Sequence, residues 1–178
     1  MRYAVGYGLL VPDFVFNAVR ELELDIYERY GGNHGLRQPP HITVKAPFAT
    51  ADLDAHERYL DALARRTDRF EVQLEGIAFF EEPDAVAFVD VMANARLTEL
   101  TAAILRELAP EATPSPYEAS DSVHYHLTLA FLEAGMLARA KRDYAAVTPR
   151  FAFTADRLGL FVGLGGADWV VARVASLR

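Results

Sequence analysis

The sequence predicts an α+β fold in which duplicated strand–helix–hairpin units surround a central cleft, with helices outside. Three observations carry this. Short runs of period two alternate with longer runs of helical period. Two H-x-T segments open strand-like stretches and are followed by aromatic residues at matching steps. A chain of 178 residues, 52% hydrophobic and 24% charged, is large enough to bury a core without staples and too apolar for disorder.

The elements follow in order. Tyr3 to Leu10 alternates Tyr3, Val5, Tyr7 and Leu9 with Ala4, Gly6 and Gly8, as a strand requires. Phe14, Ala18, Leu22 and Ile26 recur at helical spacing after Pro12-Asp13, and Gly31-Gly32 stops that helix. A polar loop, Asn33 to Pro40, leads into a short strand, His41 to Phe48, ended by Pro47. A helix over Leu53 to Arg66 has Asp52 as its N-cap. Phe70 to Phe80 and Ala85 to Met92 form a hairpin around Glu81-Glu82-Pro83-Asp84. Leu97, Leu100, Ile104 and Leu108 make one apolar face of a helix over Ala95 to Ala109, followed by a loop with Pro110, Pro114 and Pro116. Val123 to Leu132 is a strand and Glu133 to Val147 a helix. Phe151 to Val162 and Trp169 to Ala175 are a last strand pair around Gly163, Gly165 and Gly166.

The duplication appears when the two H-x-T segments are aligned. Phe70, Phe80 and Phe88 follow His41 at steps of 29, 10 and 8 residues; Phe151, Phe161 and Trp169 follow His126 at steps of 25, 10 and 8. The difference falls in the helix and its connections, where insertions are tolerated. A period near 85 residues fits one duplication, not a solenoid. No stretch reads as an interdomain linker, so residues 1–178 are expected to form a single bilobal domain, and a monomer.

Composition removes several classes. There are no cysteines, which excludes disulfides, thiolate metal sites and a Cys nucleophile. A net charge of −7 argues against a broad surface tracking extended nucleic acid, so an anionic substrate is expected in a local pocket. No cationic leader with an apolar stretch opens the chain and no run of 18 apolar residues occurs, which points to a cytoplasmic protein with no membrane partner. The spacings of a dinucleotide loop, a P-loop, a helical zincin and a G-x-S-x-G elbow are all missing.

The chemistry concentrates at His41-Ile42-Thr43 and His126-Leu127-Thr128. On a strand, positions i and i+2 share a face, so each imidazole and hydroxyl point one way while the apolar neighbours face the core. Opening a cyclic phosphodiester needs a base for the attacking water and an acid for the departing alkoxide. Two imidazoles, with unperturbed pKa of about 6.5, supply both near neutral pH. The Thr43 and Thr128 hydroxyls are placed to donate to phosphate oxygens, and no metal or other cofactor is required.

The segments Pro40-His41-Ile42-Thr43-Val44-Lys45-Ala46-Pro47-Phe48 and His126-Leu127-Thr128-Leu129 resemble the 2H phosphoesterase superfamily, in its 2′-5′ RNA ligase-like, 2′,3′-cyclic phosphodiesterase branch. The likeness extends over nearly the whole chain. It implies a bilobal fold with two antiparallel sheets about a pseudo-twofold cleft. It also implies metal-independent opening of 2′,3′-cyclic phosphates on RNA ends or small nucleotides, in some members with 2′-5′ ligation. By resemblance His126 activates water and His41 protonates the leaving oxygen, although a symmetric site permits either order.

Other residues stand beside these as candidates. Lys45 reads as a phosphate-facing cation or a solvated strand-end lysine, and Arg37 as a substrate contact or a surface residue. Tyr7 and Tyr125 can stack on a base or pack. His124 shares a strand face with His126, and H-x-H is also a metal-ligand spacing, so a His-ligated zinc hydrolase stays as an alternative. A non-catalytic nucleotide or RNA-end binding protein of the same fold is the other.

Overall fold

A computed structural model describes residues 2–115, 117–118 and 123–178; Pro116, in the predicted proline loop, lies outside the described residues. Strand β1 (Tyr3–Leu10) leads into α1 (Asp13–Tyr30), β2 (His41–Thr50), α2 (Leu53–Arg66), β3 (Phe70–Phe80) and β4 (Ala85–Val91). Then come α3 (Ala95–Leu108), β5 (His126–Leu132), α4 (Leu137–Asp143), β6 (Arg150–Ala155), β7 (Arg157–Gly165) and β8 (Asp168–Ser176). The helix boundaries obey local chemistry. Helix α1 stops at Gly31, where φ is 73°, with the Gly31 N–H on the Tyr27 carbonyl. Asp52 caps α2 through Ala55 N at 2.9 Å, and Asn94 caps α3 through Leu97 N at 3.1 Å.

The strands form two four-stranded antiparallel sheets, ordered β2-β1-β7-β8 and β5-β4-β3-β6. Each H-x-T strand is therefore an edge strand. The hairpin that follows β2 in sequence belongs to the sheet of β5, and the last hairpin, β7–β8, belongs to the sheet of β2. The two lobes exchange hairpins. Helices interlock them further, since α1 packs against β5 and α3 against β2, while β2 and β5 also touch. A core running through both lobes backs these contacts, with Val5, Leu9, Ile42, Leu127, Leu129, Leu158 and Leu160 fully buried.

The strand expected from Val123 begins at His126, and three further boundaries are corrected. The expected strand Phe151 to Val162 is two strands separated at Asp156, because β6 pairs with β3 in one sheet and β7 with β1 in the other. Strand β2 runs through Pro47 to Thr50; as an edge strand it can hold a residue without an N–H at its open side. The helix expected over Glu133 to Val147 is a 3-10 turn, Ala134–Met136, followed by the seven residues of α4. Gly135 has no side chain to favour the α basin there. Among the described residues no helix is long and apolar enough to cross a membrane.

A 3-10 turn, Gly35–Arg37, plugs the loop before β2 between α1 and β5. A Cβ on Gly35 would lie 2.2 Å from the Leu129 carbonyl oxygen and 2.6 Å from Glu23 Oε1. Gly35→Ala is expected to cost about 1–3 kcal/mol by overpacking. Gly135→Ala, where nothing lies within 4 Å, is expected to be neutral or stabilising. Urea unfolding of the two variants checks the contrast.

Candidate active site

The two H-x-T strands repeat one geometry. In each, the residues between and after the polar pair are buried: Ile42 and Val44 on β2, Leu127 and Leu129 on β5. Thr43 lies opposite Gly8 and Thr128 opposite Phe88. Immediately after each threonine the register jumps, from Gly8↔Thr43 to Tyr7↔Lys45 and from Phe88↔Thr128 to Ala87↔Ala130. A bulge at Val44 and another at Leu129 thus end the two polar faces at the same place.

The imidazoles are anchored alike. His41 Nδ1 is 2.8 Å from the Pro39 carbonyl oxygen, and His126 Nδ1 is 2.9 Å from that of His124. A carbonyl only accepts, so in the neutral ring Nδ1 carries the proton and Nε2 keeps its lone pair. Thr43 Oγ1 lies 3.3 Å from His41 Nε2. The His41 ring covers Gly8 and tilts onto Phe161 at a centroid distance of 4.2 Å. A side chain at Gly8 would occupy the space of the His41 ring, its Cβ 2.8 Å from Cδ2. His126 sits edge-on to Phe80 at 5.0 Å and close to Phe88 at 5.2 Å and Tyr117 at 5.9 Å.

A cleft of about 290 Å³ is lined by His41, Thr43 and Thr128 together with His34, Phe131 and Trp169; His126 is not among the residues that line it. His34 and Phe131 stack at 4.2 Å. The loop carrying His34 is fixed by Arg20, which donates to the Gly35 and Gln38 carbonyls at 2.7 and 2.6 Å and pairs with Glu23. Burial pushes the His41 pKa down to about 4; its bond to Pro39 opposes this, and the charges of His126 and His34 reinforce it. Burial also lowers His126, with the His124 charge adding to the fall and the Asp90 carboxylate and the His124 carbonyl opposing it. Both imidazoles are therefore neutral at neutral pH, and an anion beside either ring would raise its pKa.

The remaining predicted residues take other places. Lys45 borders the cleft, but the bulge turns its side chain to the Tyr7 face. There its ammonium, 1% exposed, sits 2.9 and 3.1 Å from the Glu118 carboxylate oxygens, so it is not a free phosphate-facing cation. Tyr7 is buried, with its hydroxyl 2.8 Å from His56 Nδ1, and Tyr125 is buried with its hydroxyl toward the Leu97 carbonyl; both pack. Arg37 forms a two-bond pair with Asp168 at 2.6 and 2.8 Å on the surface. His124 points its Nε2 at Asp90, 2.7 Å away. Among the described residues no group of three or more His, Cys, Asp or Glu is placed to hold a metal ion. Sequence reasoning does not single out His34, Phe131, Phe161 or Trp169 as cleft residues. Phe161 carries a signal: the shared step of 10 residues aligns it with Phe80, and these two rings flank His41 and His126. His34 lies in a loop without periodicity and carries none.

The two-sheet α+β architecture with paired H-x-T edge strands is the LigT-like fold. The family model of the 2′-5′ RNA ligase superfamily matches residues 11–167, and the chain belongs to that superfamily. None of the curated proteins matches it in sequence. Among solved structures it is similar to TT0787 of Thermus thermophilus, with 18% identity, a TM-score of 0.66 and 98% of each chain covered. It is also similar to E. coli LigT complexed with 3′-AMP, with 13% identity, a TM-score of 0.70 and 100% and 99% of the two chains covered. The NADP+ complex of LigT matches at 13% identity and a TM-score of 0.61, over 99% of each chain. Family membership supports a phosphoesterase or RNA ligase-type function.

The depressed His41 pKa has a signed consequence for stability. The unfolded chain takes up a proton near the ordinary value of 6.5 while the folded chain resists until about 4, so stability is lost as pH falls through that window. Urea titrations between these pH values should show stability rising with pH, with a shallower slope in His41→Gln. An unchanged slope in that variant contradicts the burial of His41 as the cause.

Proposed function

We propose that the cleft opens 2′,3′-cyclic phosphates of RNA ends or small nucleotides by two-histidine general acid–base catalysis. The observation that carries this reading is the matched pair of imidazoles, each with Nδ1–H on a main-chain carbonyl, so that Nε2 keeps its lone pair, and each with a threonine two residues on. His126 Nε2 takes a proton from water as the water oxygen bonds to phosphorus. The P–O bond to one ribose oxygen breaks, and His41 Nε2 gives that oxygen its proton, leaving a phosphate monoester and a free hydroxyl. His41 takes up the proton it donates from solvent as the substrate binds, because a phosphate anion offsets the burial that lowers its pKa. Thr43 and Thr128 donate to the non-bridging oxygens and hold phosphorus in line.

A nucleoside attached to that phosphate finds an aromatic wall in His34, Phe131 and Trp169. LigT has been crystallised with 3′-AMP, ATP and NADP+, which supports a small nucleotide as the ligand class here. With a ribose hydroxyl in place of water as the attacking group, the same proton transfers give 2′-5′ joining, in keeping with the family's name.

Incubation with adenosine 2′,3′-cyclic phosphate, followed by phosphorus NMR, tests the reading. His41→Ala and His126→Ala should each lose activity on the order of a thousandfold. Thr43→Val and Thr128→Val should lose less, roughly tenfold to a hundredfold. Strong chelator should leave turnover intact; loss of turnover would favour the zinc alternative. Binding of the cyclic nucleotide with no product would favour the binding-protein alternative.

A further inference from the structure

Lys45 and Glu118 form an ion pair shielded from water, with side chains 1% and 2% exposed. The carboxylate is ringed by donors. Lys45 Nζ reaches both oxygens, the Ala46 N–H donates to Oε1 at 2.7 Å and the Ser115 N–H to Oε2 at 2.8 Å. Burying two charges is costly unless the geometry is this complete, and such a pair contributes to fixing an arrangement more than to stability. The arrangement it fixes joins the two halves of the site. Lys45 belongs to β2, four residues after His41, whereas Glu118 belongs to the α3–β5 connection that leads to His126.

Tyr117, next to Glu118, donates its hydroxyl to the His124 carbonyl. That oxygen is also the one that accepts His126 Nδ1–H. One carbonyl, with two lone pairs, thus receives both donors, and the Tyr117 ring stands edge-on to His126. The His41 side has a different anchor, Arg20 on the carbonyls of Gly35 and Gln38. By register, Lys45 corresponds to Ala130 on β5, which has no charge to form a second strap of this kind.

We propose that Tyr117 and the Lys45–Glu118 pair are positioning residues for His126, tying the carbonyl that sets its tautomer to the edge strand that carries His41. The kinetic part of this rests on the function proposed above; the structural part does not. Two variants test it. Tyr117→Phe removes one hydroxyl and keeps the ring. Lys45→Met with Glu118→Leu replaces both charges by apolar side chains of similar size, which avoids stranding either one.

The primary readout is nitrogen-15 NMR of the imidazoles above their titration. In the unmodified protein His126 and His41 should each show a single tautomer with the proton on Nδ1. In both variants His126 should become a mixture of tautomers while His41 stays single. On a cyclic phosphate, kcat should fall roughly tenfold to a hundredfold with KM unchanged, the mark of a misplaced reacting group. The proposal is overturned if His126 keeps its single tautomer in Tyr117→Phe, or if both histidines change together, which would mean general loosening. If the unmodified protein does not turn over cyclic phosphates, the functional reading fails, and the tautomer contrast still decides this one.

Discussion

The site depends on a hydrogen bond made twice: a ring Nδ1–H donated to the carbonyl two residues upstream, Pro39 for His41 and His124 for His126. That bond sets the tautomer, so in each neutral ring Nδ1 holds the proton and Nε2 keeps its lone pair. It requires the carbonyl-bearing residue to sit at the entry of an edge strand, where the main chain is not yet taken up by a neighbour. Both H-x-T strands meet the requirement because each sheet places its own at the rim, and the lobes interlock so that the two rims meet.

Within that symmetry the two halves differ in what surrounds the ring. Gly8 lets His41 lie flat over β1 against Phe161, whereas the matching position opposite Thr128 is Phe88, which with Phe80 encloses His126 from the side. Asp90 lies opposite His126, while Leu10 lies opposite His41. A carboxylate opposite one imidazole and an apolar residue opposite the other give the two rings different environments.

Much of this was legible in the chain. Strand β1 occupies its predicted span, Gly31 and Asp52 mark helix ends through local bonds, and the step of 10 residues pairs Phe80 with Phe161. Side-chain alternation also put each His–Thr pair on one face. It failed at Lys45, because a bulge adds a residue without changing composition and inverts every facing after it. Tyr7 and Tyr125 gave no sign of which side they face, since a tyrosine fits a core with one bonded hydroxyl as well as a cleft. Arg37 found Asp168 from the far end of the chain, and His34 reached the cleft through a loop held by Arg20; both depend on long-range contacts that no local pattern encodes. The break at Asp156 is of the same kind, because a change of sheet leaves the alternation intact.

The central claim is that two imidazoles act on opposite sides of one phosphorus. The most direct measurement is a crystal structure with a nucleoside vanadate, a stand-in for the five-coordinate phosphorus. The account predicts His41 Nε2 and His126 Nε2 about 3 Å from the two opposite apical oxygens, with the Thr43 and Thr128 hydroxyls on equatorial ones. Both rings on the same side of vanadium, or only one within reach, would contradict it.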